Sequence, residues 1–172
     1  MFSGYTIYIT NYRGYGGSSG LPTEDALFAD ALTIFDRVKQ RHSSVDVIGR
    51  SLGSGVACYV AAKRKVKKLA LITPYDSIKN VAQSAYPIFP VKWLLKDHFD
   101  SVHYSAAINS DILVLTVNND LVVPNSGTDH LIQALSHNPV QIERYNHVSH
   151  ADVSELVEYQ KKLSAFFKKP SS

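Results

Sequence analysis

Gly49, Ser51 and Gly53 form a Gly-x-Ser-x-Gly motif, and Ser51 is the first residue of this sequence that could do chemistry. The motif follows the β-branched segment 45–49 and precedes a run of small residues typical of a helix. Glycines at these positions permit a sharp turn that lifts the serine above a sheet and turns the next backbone N–H toward a reacting carbonyl. Ser51 is therefore the candidate nucleophile, with a simple helix N-cap as the alternative interpretation.

A serine hydroxyl is a weak nucleophile unless a base takes its proton and a third group orients that base. Asp120, in the loop after segment 112–117, is the candidate acid, and Asp76 is its rival after the preceding strand-like segment. His150 is the candidate base and is preferred to His147, because Asp152 and a predicted helix follow it directly. The sequence thus offers a nucleophile, an acid and a histidine in that order along the chain.

The elements that must position these residues alternate between strand and helix. Strands are predicted over 5–10, 45–49, 69–73, 112–117 and 140–145. Helices are predicted over about 24–39, 52–63, 125–136 and 152–167. Helical crossovers imply a mainly parallel sheet flanked by helices, an α/β fold, in one domain over 1–172 with a small cap at about 74–107. The candidate residues all follow the carboxyl ends of predicted strands, where such sheets place their sites.

The composition, net charge and cysteine content of the chain exclude several classes of protein function. Of 172 residues, 45% are hydrophobic and 19% are charged, as in an ordinary globular protein. A net charge of +3 gives no reason to expect nucleic acid as a partner, and the glycine-rich segment 14–20 lacks the lysine of a phosphate-binding loop. The single Cys58 excludes an internal disulfide framework and a cysteine-rich metal site. No apolar stretch is long enough to span a bilayer, and the N-terminus lacks the features of a signal peptide, so a cytoplasmic location is expected.

The sequence resembles the C-terminal two-thirds of an α/β-hydrolase, in the small-lidded group related to serine aminopeptidase-like and acyl-thioesterase-like members. The resemblance covers essentially the whole chain. It rests on Asn11-Tyr12-Arg13-Gly14-Tyr15-Gly16 followed by Ser18 and Gly20, on Gly49-Arg50-Ser51-Leu52-Gly53-Ser54-Gly55, on Asn119-Asp120-Leu121-Val122-Val123-Pro124, and on Ser149-His150-Ala151-Asp152. It implies that Ser51 is the nucleophile, Asp120 the orienting acid and His150 the general base. It also implies that the Leu52 N–H is one oxyanion donor, and it implies no metal or organic cofactor.

The resemblance further implies a sheet of eight strands, of which this chain supplies five, the fourth to the eighth. The loop that provides a second oxyanion N–H would then be missing, and losing one such donor typically lowers turnover by about 10²- to 10³-fold. The absent third strand would leave a slot between 5–10 and 45–49. We expect either that these two segments pair directly or that another chain fills the slot, which gives a possible homo-oligomer through exposed sheet edges.

The leading functional hypothesis is a serine hydrolase that cleaves an ester, thioester or amide of a small-molecule acyl substrate through an acyl-enzyme on Ser51. The alternative is a catalytically impaired, truncated hydrolase or pseudoenzyme that acts as a binding or oligomerising domain. Acyl transfer to an acceptor other than water would use the same residues. Aromatic and aliphatic residues of the cap could line an acyl pocket, although core packing is the simpler role for most of them: Tyr75, Tyr86, Ile88, Phe89, Trp93 and Leu94.

Overall fold

The computed structural model describes residues 4–86 and 95–168. Its strands are β1 Val47–Arg50, β2 Lys68–Ile72, β3 Asp111–Val117 and β4 Val140–Tyr145. Its helices are α1 Glu24–Lys39, α2 Leu52–Lys63, α3 Ile78–Ala85, α4 Ser101–Ser105, α5 Asn125–Ala134 and α6 Val157–Lys168, with a 3-10 turn at Asp152–Glu155 before α6. The predicted cap residues Ile88, Phe89, Trp93 and Leu94 lie outside the described residues.

The four strands form one parallel sheet in the order β1-β2-β3-β4. The register aligns Arg50 with Ile72 and Ile72 with Leu115, while Val117 is aligned with Tyr145. The carboxyl ends therefore meet at one edge, and β3 and β4 extend two residues beyond the end of β2. This alignment brings the loops after β1, β3 and β4 together, as predicted for a parallel α/β sheet.

Apolar side chains cover both faces of the sheet. On one face, residues of β2 and β3 pack with α1, α2 and α5, around Leu69, Leu71, Val114, Cys58 and Leu131. On the other face, they pack with α6, around Ala70, Leu113, Leu115, Leu163 and Phe166. Strands covered on both faces must be almost continuously apolar, which explains the composition of β2 and β3.

The N-terminal segment 5–10 corrects one prediction. It is not a strand, so the described part of the chain has four strands rather than five. Of the two expected arrangements, direct pairing with segment 45–49 is therefore wrong, whereas filling of the slot by another chain stays a prediction. Both segments line a cavity of about 760 Å³, the first through Tyr5, Ile7 and Tyr8 and the second through residues 45–48. β-branched residues favour an extended backbone, but a strand also needs a neighbour within hydrogen-bonding distance, and the cavity removes that neighbour.

Two helix boundaries also differ from the sequence prediction. The helix predicted over 125–136 ends at Ala134, and the last helix begins at Val157 rather than near Asp152. Residues Asp152–Glu155 instead form a 3-10 turn, a common connector before an α-helix. Within residues 4–86 and 95–168, no helix is both long enough and apolar enough to cross a membrane.

Candidate active site

Ser51 occupies a strained turn between β1 and α2. Its φ is +49° and its ψ is −121°, a region that non-glycine residues rarely adopt. Its backbone N–H donates to the Ile72 carbonyl at 2.9 Å, so the turn is bonded to the neighbouring strand. A Cβ on Gly49 would lie 2.4 Å from the Gly53 carbonyl oxygen and 2.6 Å from the Ala57 Cβ. Only glycine at 49 allows β1 and α2 to approach this closely.

The first turn of α2 holds the Ser51 backbone in place. The Ser54 backbone N–H and its hydroxyl both donate to the Ser51 carbonyl, at 2.8 and 2.7 Å. The hydroxyl of buried Tyr75 donates to the Leu52 carbonyl at 3.1 Å, and burial raises the pKa of Tyr75. Hydrogen bonds with β2, with α2 and with the loop residue Tyr75 therefore hold the turn in its strained conformation.

Asp120, His150 and Ser51 form one continuous line of hydrogen bonds. His150 Nδ1 lies 2.7 Å from Asp120 Oδ2, and His150 Nε2 lies 3.0 Å from Ser51 Oγ. A carboxylate can only accept, so Nδ1 carries the proton and Nε2 is left to accept from the serine hydroxyl. The Asp120 side chain is 1% exposed and the His150 side chain 13%, so water competes little for these bonds.

The second oxygen of Asp120 fixes the direction of the carboxylate. Oδ1 accepts from the backbone N–H groups of Val122 and Val123, each at 2.9 Å. This leaves Oδ2 directed at the imidazole. A loop that turns back over its own aspartate in this way presents one defined carboxylate oxygen to the histidine.

The two rival residues lie elsewhere. Asp76 accepts from the Ser77 backbone N–H at 2.7 Å and from Asn80 Nδ2 at 2.6 Å, and it lies 3.5 Å from His130 Nδ1. Its carboxylate therefore bonds to residues at the start of α3. His147 is exposed, with a positive φ of 58°. The structure thus brings together the three preferred residues and leaves the alternatives outside the line of hydrogen bonds.

The predicted oxyanion donor, the Leu52 N–H, lies at the N-terminus of α2. Leu52 is the first residue of α2, and the first N–H groups of a helix have no acceptor within it. Tyr12 is close by, because its hydroxyl oxygen lies 3.3 Å from the position of a Cβ on Gly53. Burial raises the pKa of Tyr12, so its phenol stays protonated at neutral pH. The first N–H groups of α2 directly follow Ser51 in the chain and the Tyr12 phenol lies beside Gly53, so hydrogen-bond donors lie close to this turn.

Asn118 and Asn146 join the two loops of the candidate site, although no sequence motif marks them. Asn118 Nδ2 donates to Asn146 Oδ1 at 2.6 Å, and the Asn118 backbone N–H donates to the Tyr145 carbonyl at 2.9 Å. These bonds join the loop that carries Asp120 to the loop that carries His150. The available signal was that both asparagines directly follow strand ends. Within the described ranges, no group of three or more histidine, cysteine, aspartate or glutamate side chains is arranged to hold a metal ion.

The parallel sheet, the strained serine turn and the aligned loops together define a hydrolase-like α/β architecture. The alpha/beta hydrolase fold family matches residues 2–96, and this chain belongs to that family. This membership confirms the superfamily inferred from the sequence motifs. The narrower small-lidded group stays a prediction.

Individual relatives agree with the family match. An uncharacterized protein of Mycobacterium tuberculosis is 34% identical over 136 residues, which cover 76% of this chain and 48% of the relative. The lysophosphatidylserine lipase ABHD12 of Bos taurus is 33% identical over 141 residues, covering 70% of this chain and 35% of the lipase. This chain therefore spans half or less of the length of these curated relatives.

Solved structures share the same fold. The esterase Pf2001 of Pyrococcus furiosus superposes with a TM-score of 0.70 at 20% identity, covering 92% of this chain and 68% of that chain. An alpha/beta hydrolase from a deep-sea metagenome library also superposes with a TM-score of 0.70, at 14% identity, covering 91% of this chain and 77% of that chain. At such identities the likeness concerns the fold.

Proposed function

We propose that this chain is a serine hydrolase that cleaves a small acyl substrate through an acyl-enzyme on Ser51. The observation that carries the proposal is the line of hydrogen bonds from Asp120 through His150 to Ser51, with distances of 2.7 and 3.0 Å. Nucleophile, base and orienting acid within hydrogen-bond reach of one another are the geometric signature of this chemistry.

In the first half of the reaction, Ser51 Oγ attacks the substrate carbonyl carbon while His150 Nε2 takes the hydroxyl proton. Asp120 keeps the imidazole in the tautomer with the proton on Nδ1 and stabilises the imidazolium that forms. The Leu52 N–H donates to the developing oxyanion. Collapse of the tetrahedral intermediate breaks the bond to the leaving group, which takes the proton from His150 Nε2 and departs.

In the second half, water replaces the leaving group. His150 Nε2 accepts a proton from the water as its oxygen attacks the acyl carbon, and the same proton returns to Ser51 Oγ when the acid product is released. An alcohol in place of water would give acyl transfer with the same residues. We assign hydrolysis of an ester first, because relatives at about a third identity are named as a lipase and a structural neighbour is named as an esterase.

A fluorophosphonate probe tests this proposal directly, because it phosphonylates only a serine whose hydroxyl is activated by a neighbouring base. We expect wild-type protein to be labelled and Ser51→Ala to remain unlabelled. Ser126→Ala, which removes an exposed serine at the start of α5, is the matched control and should be labelled like wild type. Folded wild-type protein that resists the probe, or equal labelling of Ser51→Ala, would contradict the proposal.

The edge of β1 that does not pair with β2, here called the open side, favours a second candidate function. This function is that of a binding or oligomerising domain with impaired catalysis. The cavity of about 760 Å³ beside β1 is lined by apolar side chains such as Ile7, Ile34 and Val47. Apolar surface next to an unpaired strand edge tends to associate with other chains. If folded protein resists the probe yet self-associates, this second function is preferred.

A further inference from the structure

Arg50 is the last residue of strand β1 and directly precedes Ser51 in the chain. Its guanidinium reaches across to the segment that carries His150. Nη2 donates to the backbone carbonyls of His150 at 3.2 Å and Ala151 at 2.5 Å, and Nη1 donates to Ser154 Oγ at 3.2 Å. One side chain next to the candidate nucleophile thus bonds three acceptors on residues 150, 151 and 154, around the candidate base.

His150 depends on such support because it lies outside the sheet. Strand β4 ends at Tyr145, so His150 is five residues beyond the last strand residue. The bond from Ser149 Oγ to Asp152 Oδ2, at 2.5 Å, shapes the loop internally. That bond does not connect the loop to β1, whereas the bonds from Arg50 do.

Once the His150 backbone is held, hydrogen bonds at both ring nitrogens fix the orientation of the imidazole. Both ring nitrogens are engaged, Nδ1 with Asp120 and Nε2 with Ser51. A shift of the His150 backbone would therefore lengthen the bond to Ser51 Oγ, the bond to Asp120 Oδ2, or both. The position of the base follows from the position of a carbonyl that Arg50 holds.

The contact uses properties that are particular to arginine. A planar guanidinium presents several N–H donors in a rigid fork, and here its two terminal nitrogens serve three acceptors. A lysine ammonium at the same place is a point donor on a flexible stem. It can bond to one or two of these acceptors, but it lacks the rigid fork that bonds to all three at once.

We propose that Arg50 is a positioning residue that sets the distance between His150 Nε2 and Ser51 Oγ by tying the histidine loop to the strand that carries the nucleophile. This inference rests on the proposed serine hydrolase function. A displacement of about 1 Å between reacting groups lowers the rate by as much as about 10²-fold. Loss of the guanidinium should therefore slow the chemical step while leaving the substrate-binding surface in place.

The experiment compares wild type, Arg50→Met, Arg50→Lys and Arg144→Met. Arg144 is a second arginine of the same sheet, on β4, and it pairs with Asp129, so its removal is the matched control. Two quantities are measured with a fluorophosphonate probe: the final number of labelled sites per chain, and the rate of labelling. The final number counts correctly folded sites, and the rate reports how well the base is positioned. Steady-state kcat and KM with p-nitrophenyl acetate are measured alongside.

For Arg50→Met we expect full final labelling at a rate about 10- to 100-fold below that of wild type, with kcat reduced and KM nearly unchanged. Arg50→Lys should recover part of the rate, and Arg144→Met should match wild type. Equal labelling rates for wild type and Arg50→Met would overturn the inference and leave the proposed function standing. Absence of labelling in wild type would instead overturn the proposed function.

A purely structural role for Arg50 gives a different pattern. It would lower the final number of labelled sites or the unfolding temperature without changing the rate per folded site. If Arg50→Met does not fold, Arg50→Lys decides the question. A wild-type labelling rate in folded Arg50→Lys would then overturn the inference, and a several-fold slower rate would support it.

Discussion

At the carboxyl end of β1, Ser51 is joined to His150 by a hydrogen bond of 3.0 Å, and the Asp120 side chain behind them is only 1% exposed. Along the outer side of the same strand, the side chain of Ile48 is 47% exposed and lines a cavity of about 760 Å³. Only Gly49 and Arg50 thus lie between an exposed residue beside the cavity and the hydrogen-bonded Ser51.

The difference follows from which neighbours each region has. The serine turn is held by β2 and α2, and the loops that face it follow β3 and β4, which are paired within the sheet. Across the cavity, segment 5–10 leaves Ile7 59% and Ile9 89% exposed. The candidate site therefore depends on the interior of the sheet, and changes to exposed apolar side chains on the open side should affect association rather than chemistry.

The largest effect should come from Asp120→Asn. An asparagine fits the same space but offers an amide in place of the carboxylate, so the imidazole tautomer is no longer fixed and its charged form is no longer stabilised. If Asp120 orients the base as proposed, kcat with p-nitrophenyl acetate should fall by about 10⁴-fold, the loss that this change causes in a serine triad. Asp76→Asn, at the rival acid, should keep kcat near that of wild type. A greater loss in Asp76→Asn than in Asp120→Asn would reverse the assignment of the acid.

The next largest effect tests how tightly β1 and α2 pack at the serine turn. An alanine Cβ at position 49 would lie 2.4 Å from the Gly53 carbonyl oxygen, so Gly49→Ala must separate β1 from α2. We expect a loss of about 3 kcal/mol in the free energy of unfolding, measured with urea. Gly53→Ala is the control for stability, because the nearest atom to its added Cβ is the Tyr12 hydroxyl at 3.3 Å. An equal loss in both variants would mean that the approach of β1 to α2 is not the limiting contact.

The open side should respond in association rather than activity. We expect wild-type protein to self-associate as its concentration rises, and the double variant Ile7→Thr with Ile9→Thr to do so less, as measured by size-exclusion chromatography with light scattering. Because both side chains are exposed, the free energy of unfolding should change by no more than about 0.5 kcal/mol. Val157→Thr removes another exposed apolar side chain, away from the cavity, and should not alter association. A wild-type monomer at every concentration would exclude the open side as a self-association surface.

The same contrast explains what the sequence could predict. Ser51, Asp120 and His150 could be chosen as candidates because each follows a strand of a parallel sheet, and the carboxyl ends of such strands meet at one edge. Local composition was sufficient there, since β2 and β3 are apolar on both faces and leave little choice of partner.

Segment 5–10 and Arg50 were harder for a physical reason. The β-branched composition of 5–10 specifies an extended backbone but not the presence of a neighbouring strand. The bonds from Arg50 to the carbonyls of His150 and Ala151 join residues about a hundred positions apart, and no local pattern encodes such a contact. Propensity predicts elements, whereas the distances between elements come from packing.

The smallest predicted effect concerns Asp46, which lines the cavity at the start of β1. Burial raises the pKa of this carboxyl above its usual 3.8, although its Oδ1 accepts from the Lys68 backbone N–H at 3.1 Å. The folded state therefore holds the Asp46 proton to higher pH than the unfolded state does. As the pH rises from near 3.8 through the raised folded-state pKa, the unfolded chain ionises first, and this group takes stability away.

Asp46→Asn removes that ionisation while keeping an oxygen that can accept from Lys68. Relative to wild type, its free energy of unfolding should improve as the pH rises from about 3.8 and then level off near neutrality, by less than about 1 kcal/mol. Asp36→Asn is the control of opposite sign, because the Arg64 guanidinium holds the pKa of Asp36 below its usual value. The Asp36–Arg64 pair contributes stability above about pH 3.8, and this contribution is lost as the pH falls. The free energy of unfolding of Asp36→Asn should therefore fall below that of wild type as the pH rises. Urea unfolding of the three proteins at pH 3.5 and pH 7 measures both trends. Parallel trends in the two variants would mean that the Lys68 N–H bond and the nearby lysine charges lower the pKa of Asp46 more than burial raises it.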